Sequence, residues 1–564
     1  MSNRIVLGLI LVLLALPAWA GDYRWTGPAQ ANWSDPANWD LADGTYPDGA
    51  DDRGIVDTPT ERAVYDAAAT GLLGNLSLNG GSEIVVNRDL LLDYTGSSTD
   101  PGMLNLQGGE TAGLGFYPQA VINTGYTLSL TTLRISCADF RSVYVLGNGT
   151  MRFAPDADGK GYMRFQYTNY GYDIRCAVDL SALSTIVVSN AAGTGMTTAH
   201  LYLRASGKGA RPTDSFTLGR TDGGDQAFAA PDGITTRSNR RIDVTANEDG
   251  YDSNPGPRII VNAVGTDTLP NKVILKRQAW GGFNFTDSGK WSYTSGWIES
   301  AGAGVARLVL EGDFRTNVTN VSAANTPWNL SQIQLQMAAE ITANDDLGAP
   351  RLPSAYQQLQ WQGADRNAGG TLPYADPDYF NFLGFTGNRA ARKLVVGGDG
   401  GLENYINFKG MTVGTTEYHA MYTWGLEFKP GGYLYIEDAD DYVYWLSASD
   451  TVGGANGAGL ALPPGTTLAD FTNRPENIRM VGRWPGDANL DLTVDYLDLG
   501  ALAGSYRQSG KTWAEGDFTG DGSVDYLDLG VLAGNYRSGP TGYVPEPLTL
   551  CLLALTWPLL RRRK

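Results

Sequence analysis

From Gly21 to about Met480 the chain alternates apolar and polar residues in short runs that stop at Gly, Asn or Asp. Examples are NLSLNGGSEIVVNRDLLLDY (75–94), YTLSLTTLRIS (126–136), SVYVLGNGTMRFAP (142–155), RRIDVTA (240–246), ARLVLEGDF (306–314) and RKLVVGGDG (392–400). Period-two alternation between turn residues predicts short strands with one face inward. Helical periodicity is scarce before residue 486, and the one expected helical turn lies at TERAVYDAAATG (60–71). The expected fold class is mainly β: a large β-solenoid over 21–480, with a series of β-sandwiches as the alternative, followed by a small α-helical module. Gly and Asn supply the positive φ angles that the tight corners of a solenoid need.

The body opens with YRWTGPAQANWSDPANWD, which places Trp25, Trp33 and Trp39 close together, two of them after Asn32 and Asn38. This start resembles the opening rung of autotransporter-like β-helical surface proteins, in which the family implies that such a Trp repeat caps the stack. A solenoid end exposes strand edges and needs a cover, so the cluster has a structural explanation that involves no ligand.

Near the other end the pattern changes. GDANLDLTVDYLDLGALAGSYR from Gly486 and GDFTGDGSVDYLDLGVLAGNYR from Gly516 align without a gap, each an acidic twelve-position loop running into a helix. Calcium takes six to eight oxygens, and a loop of this kind supplies them from positions 1, 3, 5, 7, 9 and 12. In the first copy those positions are Asp487, Asn489, Asp491, Thr493 through its carbonyl, Asp495 and Asp498. In the second they are Asp517, Thr519, Asp521, Ser523 through its carbonyl, Asp525 and Asp528. Two Ca2+ sites are therefore expected. Position 6, where the loop turns sharply, is Gly522 in one copy and Leu492 in the other, and Thr519 stands where Asp or Asn is more usual. Val494 and Val524 at position 8 are expected to pack between loop and helix.

The pair, spanning 484–538, with Asp at position 12 and no helix ahead of each loop, resembles the type I dockerin domain. That resemblance implies two calcium-loop-plus-helix halves related by a pseudo-twofold, and a helix surface that docks onto a cohesin-like module. Leu499, Leu502 and Tyr506, and likewise Leu529, Leu532 and Tyr536, fall at i, i+3 and i+7 and predict one apolar face on each helix. Tyr496-Leu497 and Tyr526-Leu527 lie near where family members specify their partner. Their repetition implies docking in either of two orientations, with burial of Leu497 and Leu527 in the core as the alternative.

Both termini carry export signals. Met1 to Ala20 has a basic residue at Arg4, an apolar run from Ile5 to Leu16 broken at Pro17, and Ala18-Trp19-Ala20, which reads as a signal peptide with its cleavage site. After a linker at 539–543 come Val544-Pro545-Glu546-Pro547, an apolar run to Leu560 and the basic end Arg561-Arg562-Arg563-Lys564, over 544–564. The run is shorter than the roughly 20 residues of a free-standing span, and the basic end stays cytoplasmic. This segment resembles the PEP-CTERM sorting signal, which implies cleavage by an exosortase, transient inner-membrane contact through the tail, and display at the cell surface beside exopolysaccharide.

The formal net charge is -18, and losing both ends, with the tail cut after Glu546, would remove five cations and no acid, giving about -23. Nucleic acid and anionic lipid are poor partners for such a surface. With Cys551 in the tail, Cys137 and Cys176 are left either to pair in an oxidising compartment or to stay as buried thiols.

No catalytic motif stands out. The chain has His200 and His419, no H-E-x-x-H, no G-x-S-x-G, and Gly289-Lys290 is followed by Trp291 where a phosphate loop needs Ser or Thr. Glu437, Asp438, Asp440 and Asp441 in YIEDADDYVYW supply carboxylates, but the paired geometry of a glycosidase is not readable from linear order. Three readings compete: a structural, adhesive or docking surface protein, which the absence of an active-site constellation favours; a polysaccharide hydrolase or lyase recruited through its dockerin; and a sugar-binding protein using its many Trp and Tyr rings.

Overall fold

The computed structural model describes residues 22–40, 44–57, 61–93, 102–108, 118–137, 141–153, 160–167, 176–188, 199–206, 215–229, 240–245, 258–275, 282–286, 298–311, 313–317, 330, 332–345, 347–360, 390–413, 416–446, 459–481, 485–489, 493–519 and 522–537. The segments expected to be a signal peptide, linker and sorting signal, the Gly289–Trp291 stretch, the side chain of His200 and the thiols of Cys137 and Cys176 lie outside this set. Among the described residues no helix is long and apolar enough to cross a membrane.

The chain is mainly β, and three large parallel sheets carry it. The first runs from Asp22–Arg24 through Arg53–Val56 and Asn75–Asn79 to Gly432–Ile436; the second from Ala31–Asn32 through Arg62–Tyr65 to Ile298–Ala301; the third from Leu72–Leu73 through Leu90–Leu92 to Ile478–Val481. Sheet neighbours are not sequence neighbours: over most of its length the chain visits the three sheets in turn and returns one level further along. Parallel pairing of this kind is compatible with the solenoid expectation, whereas sandwiches stack antiparallel sheets.

Register explains the core. In the third sheet Leu90, Leu128, Met151, Ile186, Phe228, Leu275, Leu310, Met337, Val396 and Phe428 stand in one column of paired positions, all fully or almost fully buried. Leu76, Leu104 and Leu133 begin a second column in the first sheet. Each such side chain contributes about 1.5–3 kcal/mol by leaving water, and a one-residue slip would turn a whole strand's apolar set outward. Corners need room: Gly147 sits at φ 82°, and a β-carbon there would meet the Ile122 carbonyl oxygen at 2.1 Å.

The tryptophans close the first turn. Trp33 and Trp39 meet edge-on with ring centroids 4.5 Å apart, Trp25 lies 5.2 Å from Trp39, and all three are buried. Two of the three indole N–H groups are served locally, with Trp33 Nε1 donating to the Pro47 carbonyl at 3.0 Å and Trp39 Nε1 to the Trp33 carbonyl at 2.9 Å, while the buried Trp25 Nε1 finds no partner among the described residues. The helical turn expected at 60–71 is absent from the described part of that stretch. Arg62–Tyr65 is a strand instead, because Ala63 and Tyr65 point into the core while paired with Ile84 and Val86. Parallel pairing overrode a locally helix-friendly composition.

Two helices follow the body, α1 (Tyr496–Ser505) and α2 (Tyr526–Asn535). Their apolar core is continuous with aromatic side chains on the outer face of the body's last strands. Tyr422, Trp424 and Tyr444 cluster with Ala488, Val494, Leu502, Trp513, Phe518, Val524, Val531 and Leu532, with Met480 and Tyr442 packed against the group.

Candidate metal centre

Each loop enters its helix through the same capping box. Asp495 is the N-cap of α1, accepting from the Leu497 N–H at 2.8 Å, and Asp498 reaches back to the Asp495 N–H at 2.7 Å. Asp525 and Asp528 repeat this on α2 at 2.7 and 2.8 Å. A carboxylate in the first helical turn also meets the positive end of the helix dipole.

The position-12 carboxylates do a second job. The other oxygen of Asp498 accepts from the backbone N–H groups of Ala488 and Asn489 at 2.7 and 3.2 Å, so it ties the start of the loop to its end. Asp528 does the same with the Thr519 N–H at 2.8 Å. Asp517 accepts from the Gly522 N–H at 2.9 Å and from the Thr519 hydroxyl at 3.2 Å. Gly522 has φ 82°, the turn expected of position 6. Leu492, Asp491 and Asp521 lie outside the described residues.

Burial sorts the remaining ligand positions. Asp487, Asp498, Asp517, Thr519 and Asp528 are buried; Asp495, Ser523 and Asp525 are half-buried; Asn489 and Thr493 are exposed. Burial pushes the Asp498 carboxyl up from its ordinary value, against three backbone N–H donors, and the neighbouring Asp495 charge pushes the same way. Among the described residues no group of three or more His, Cys, Asp or Glu gathers as a metal cluster, and both position-5 aspartates fall outside that set. The fit to a hard divalent cation rests on chemistry: an all-oxygen donor set with a fully buried carboxylate that has hydrogen-bond donors but no cation beside it among the described residues.

The two halves interlock reciprocally. Gly516 backs onto Leu502 of α1 and Gly486 onto Leu532 of α2; the Arg507 N–H donates to the Val524 carbonyl and the Arg537 N–H to the Val494 carbonyl, both at 2.7 Å. Arg507 and Arg537 each stand just past a helix in the left-handed region, at φ 64° and 72°. Val494 and Val524 are buried as expected. The predicted helix faces need correction: Leu502 and Leu532 are buried, but Leu499, Tyr506, Leu529 and Tyr536 are exposed. Leu497 is also exposed and Leu527 only half-buried, so neither is core. Short helices crossing at one central leucine each leave their flanks uncovered. Tyr496 and Tyr526 are 68% and 69% exposed, two equivalent aromatic tips.

The body's acidic patch separates into distinct roles. Glu437 is held by Lys409 and by the Asn407 amide at 2.6 Å; burial alone would raise its pKa, but these partners lower it. Asp441 is fully buried, lies 3.0 Å from His419 Nδ1 and accepts from the Asp438 N–H, and burial raises its pKa. Asp438 and Asp440 are exposed turn residues. Sequence reasoning missed the aromatic group beside Glu437's strand, where Tyr405 has ring centroids 4.9 Å from Tyr433 and 5.1 Å from Tyr356. Register aligns Tyr405 with Tyr433, a relation that no local motif signals. No family model, curated protein or solved structure matches this chain.

Proposed function

We propose that the chain is an exported cell-surface or matrix protein in which a β-solenoid serves as a structural or adhesive body and the C-terminal repeat pair is a calcium-dependent, dockerin-type docking module. The observation that carries this reading is the reciprocal repeat itself: two loops of one spacing, each closed by a buried position-12 carboxylate, Asp498 and Asp528. In this reading Asp487, Asn489, Asp491, Thr493, Asp495 and Asp498 hold one Ca2+, and Asp517, Thr519, Asp521, Ser523, Asp525 and Asp528 the other. The exposed Tyr496 and Tyr526 tips support docking of a cohesin-like module in two orientations. The terminal signals support export, tail processing by an exosortase and residence beside exopolysaccharide.

Titration calorimetry of the full chain with calcium tests the metal reading; absence of heat, together with a melting curve unmoved by chelator, would reject it. Intact mass of the surface-displayed protein tests tail processing, and retention of Leu548–Lys564 would count against it. A second reading, carbohydrate binding by the body, is favoured by the half-buried Tyr405 and Tyr433, backed by the buried Tyr356, since partly exposed aromatic faces stack on pyranose rings. An enzymatic reading predicts release of reducing ends or unsaturated products from a polysaccharide panel. Glu437 and Asp441, each already engaged by a structural partner, give it less support.

A further inference from the structure

Charge on the body is not spread evenly. In the first sheet the six strands from Arg53–Val56 to Ala199–Ser206 hold five cations, Arg53, Arg134, Lys160, Arg164 and Arg204, and no acidic residue. The whole chain has 60 acidic residues against 42 basic ones, so this run of strands is out of keeping with its surroundings.

Register gathers the cations. Arg134 pairs with Arg164 and Arg164 with Arg204, which sets three arginines in one column across Thr132–Cys137, Lys160–Tyr167 and Ala199–Ser206. Leu133 is buried in the core and Arg134 beside it is half-buried, so strand alternation puts the column on the sheet's outer face. Neighbouring strands lie about 4.8 Å apart, and a positive residue recurs at that interval. Two positions earlier on the same face Thr132, Tyr162 and Tyr202 stand in line, and two positions before that Lys160, His200 and Arg241. On the other side Ser136, Gln166 and Ser206 form a column of hydroxyl and amide residues. The first acidic residue beyond these strands in sheet order is Asp243, which pairs with Tyr202 and so ends the aromatic column, while the arginine column runs on to Thr245.

Like charges at facing positions of neighbouring strands repel, so three arginines in register work against the stability of the sheet, and local rules of this kind are broken mainly at functional sites. We propose that this face binds a linear acidic polysaccharide, a polyuronate lying across the strands, with Arg134, Arg164 and Arg204 taking its carboxylates and Tyr162 and Tyr202 beside them for its sugar rings. A guanidinium presents a planar fork that matches a carboxylate, and an aromatic ring offers an apolar face to the C–H groups of a sugar. A polyuronate repeats its charge once per ring, as the column does once per strand. The hydroxyl and amide column suits the many hydroxyls of a glycan better than the backbone of a nucleic acid. The inference goes beyond the docking role assigned above, and none of these residues belongs to a calcium loop or to the Tyr405–Tyr433 group.

The test is the fluorescence anisotropy of a labelled hexagalacturonate titrated with the full chain, with neutral maltohexaose and a single-stranded hexadeoxynucleotide as unlabelled competitors. Saturable binding that weakens as salt rises is expected. Arg164→Gln and Arg204→Gln should each weaken it about tenfold, and Arg164→Lys less. Both glutamine variants should melt at or above the wild type, because each relieves a repulsion. Absence of saturable binding, competition by maltohexaose as effective as by unlabelled hexagalacturonate, or unchanged binding by both glutamine variants would overturn the proposal. Equally effective competition by the oligonucleotide would overturn the assignment to a glycan, and melting of both variants well below the wild type would mark the column as structural. Calcium calorimetry on the same protein reads the repeat pair, which contributes no residue to this face, so failure of the metal reading and failure of this one are distinguishable.

Discussion

Gly516 lies directly against the backbone of Leu502: a β-carbon on Gly516 would come within 2.5 Å of the Leu502 α-carbon. The glycine also has φ 99°, so both its space and its conformation exclude a side chain. Gly486 stands in the same relation to Leu532, at 2.9 Å and φ 98°. The entry of each loop thus packs on the helix of the other, and neither half is complete alone.

Gly516→Ala is therefore expected to destabilise the module by about 1–3 kcal/mol through backbone strain and contact. Gly500→Ala, on the open face of α1 where an added β-carbon meets nothing, is expected to stabilise it by about 0.5–1 kcal/mol. Chemical denaturation followed by tryptophan emission compares them, and effects of the same sign would contradict the packing described.

Leu502→Ala and Leu532→Ala should each cost about 2–5 kcal/mol, as for buried leucines elsewhere. Tyr496→Ala and Tyr526→Ala should change stability by no more than about 0.5 kcal/mol, since both side chains are exposed. If the tips dock a cohesin-like module in two orientations, either single substitution leaves binding to such a module intact and the pair abolishes it. Loss of binding with one substitution alone would argue for a single orientation.

Asp498→Asn and Asp528→Asn should each remove one of two calcium-binding events in titration calorimetry. Each keeps one oxygen for the loop's backbone N–H groups but sets an NH2 where the other oxygen accepts from the Asp495 or Asp525 N–H, so a loss of about 1–3 kcal/mol with the fold retained is expected. A stoichiometry that stays at two in either variant would show that the position-12 carboxylates are capping groups only.

Asp267 and Arg392 join distant turns of the body, with the guanidinium Nε and Nη2 at 2.7 and 2.6 Å from the two carboxylate oxygens. Burial alone would raise the Asp267 pKa, but Arg392 outweighs it and lowers it below the ordinary 3.8. A depressed carboxyl contributes stability that is fully present above its unfolded value and is lost as the pH falls through the folded one. Asp267→Asn should cost about 1–3 kcal/mol near neutrality and flatten the acid limb of the stability profile below about pH 4. An unchanged acid limb would mean that the pair carries no such coupling.

The sequence by itself determined the strands and the repeat. Alternation at period two needs only local residues, and a twelve-position acidic loop written twice is recognisable without coordinates. It also marked Gly522 and the buried Val494 and Val524, because backbone conformation and loop-to-helix packing are local requirements. Tertiary structure decided the rest. Pairing Arg62–Tyr65 between neighbouring strands overrode its helix-friendly composition, and only one leucine of each predicted helix face found cover, because contact area depends on where the partner helix crosses. The Gly516–Leu502 contact was illegible for the same reason: it joins residues from separate segments, and distance in space is not written in the spacing of one segment.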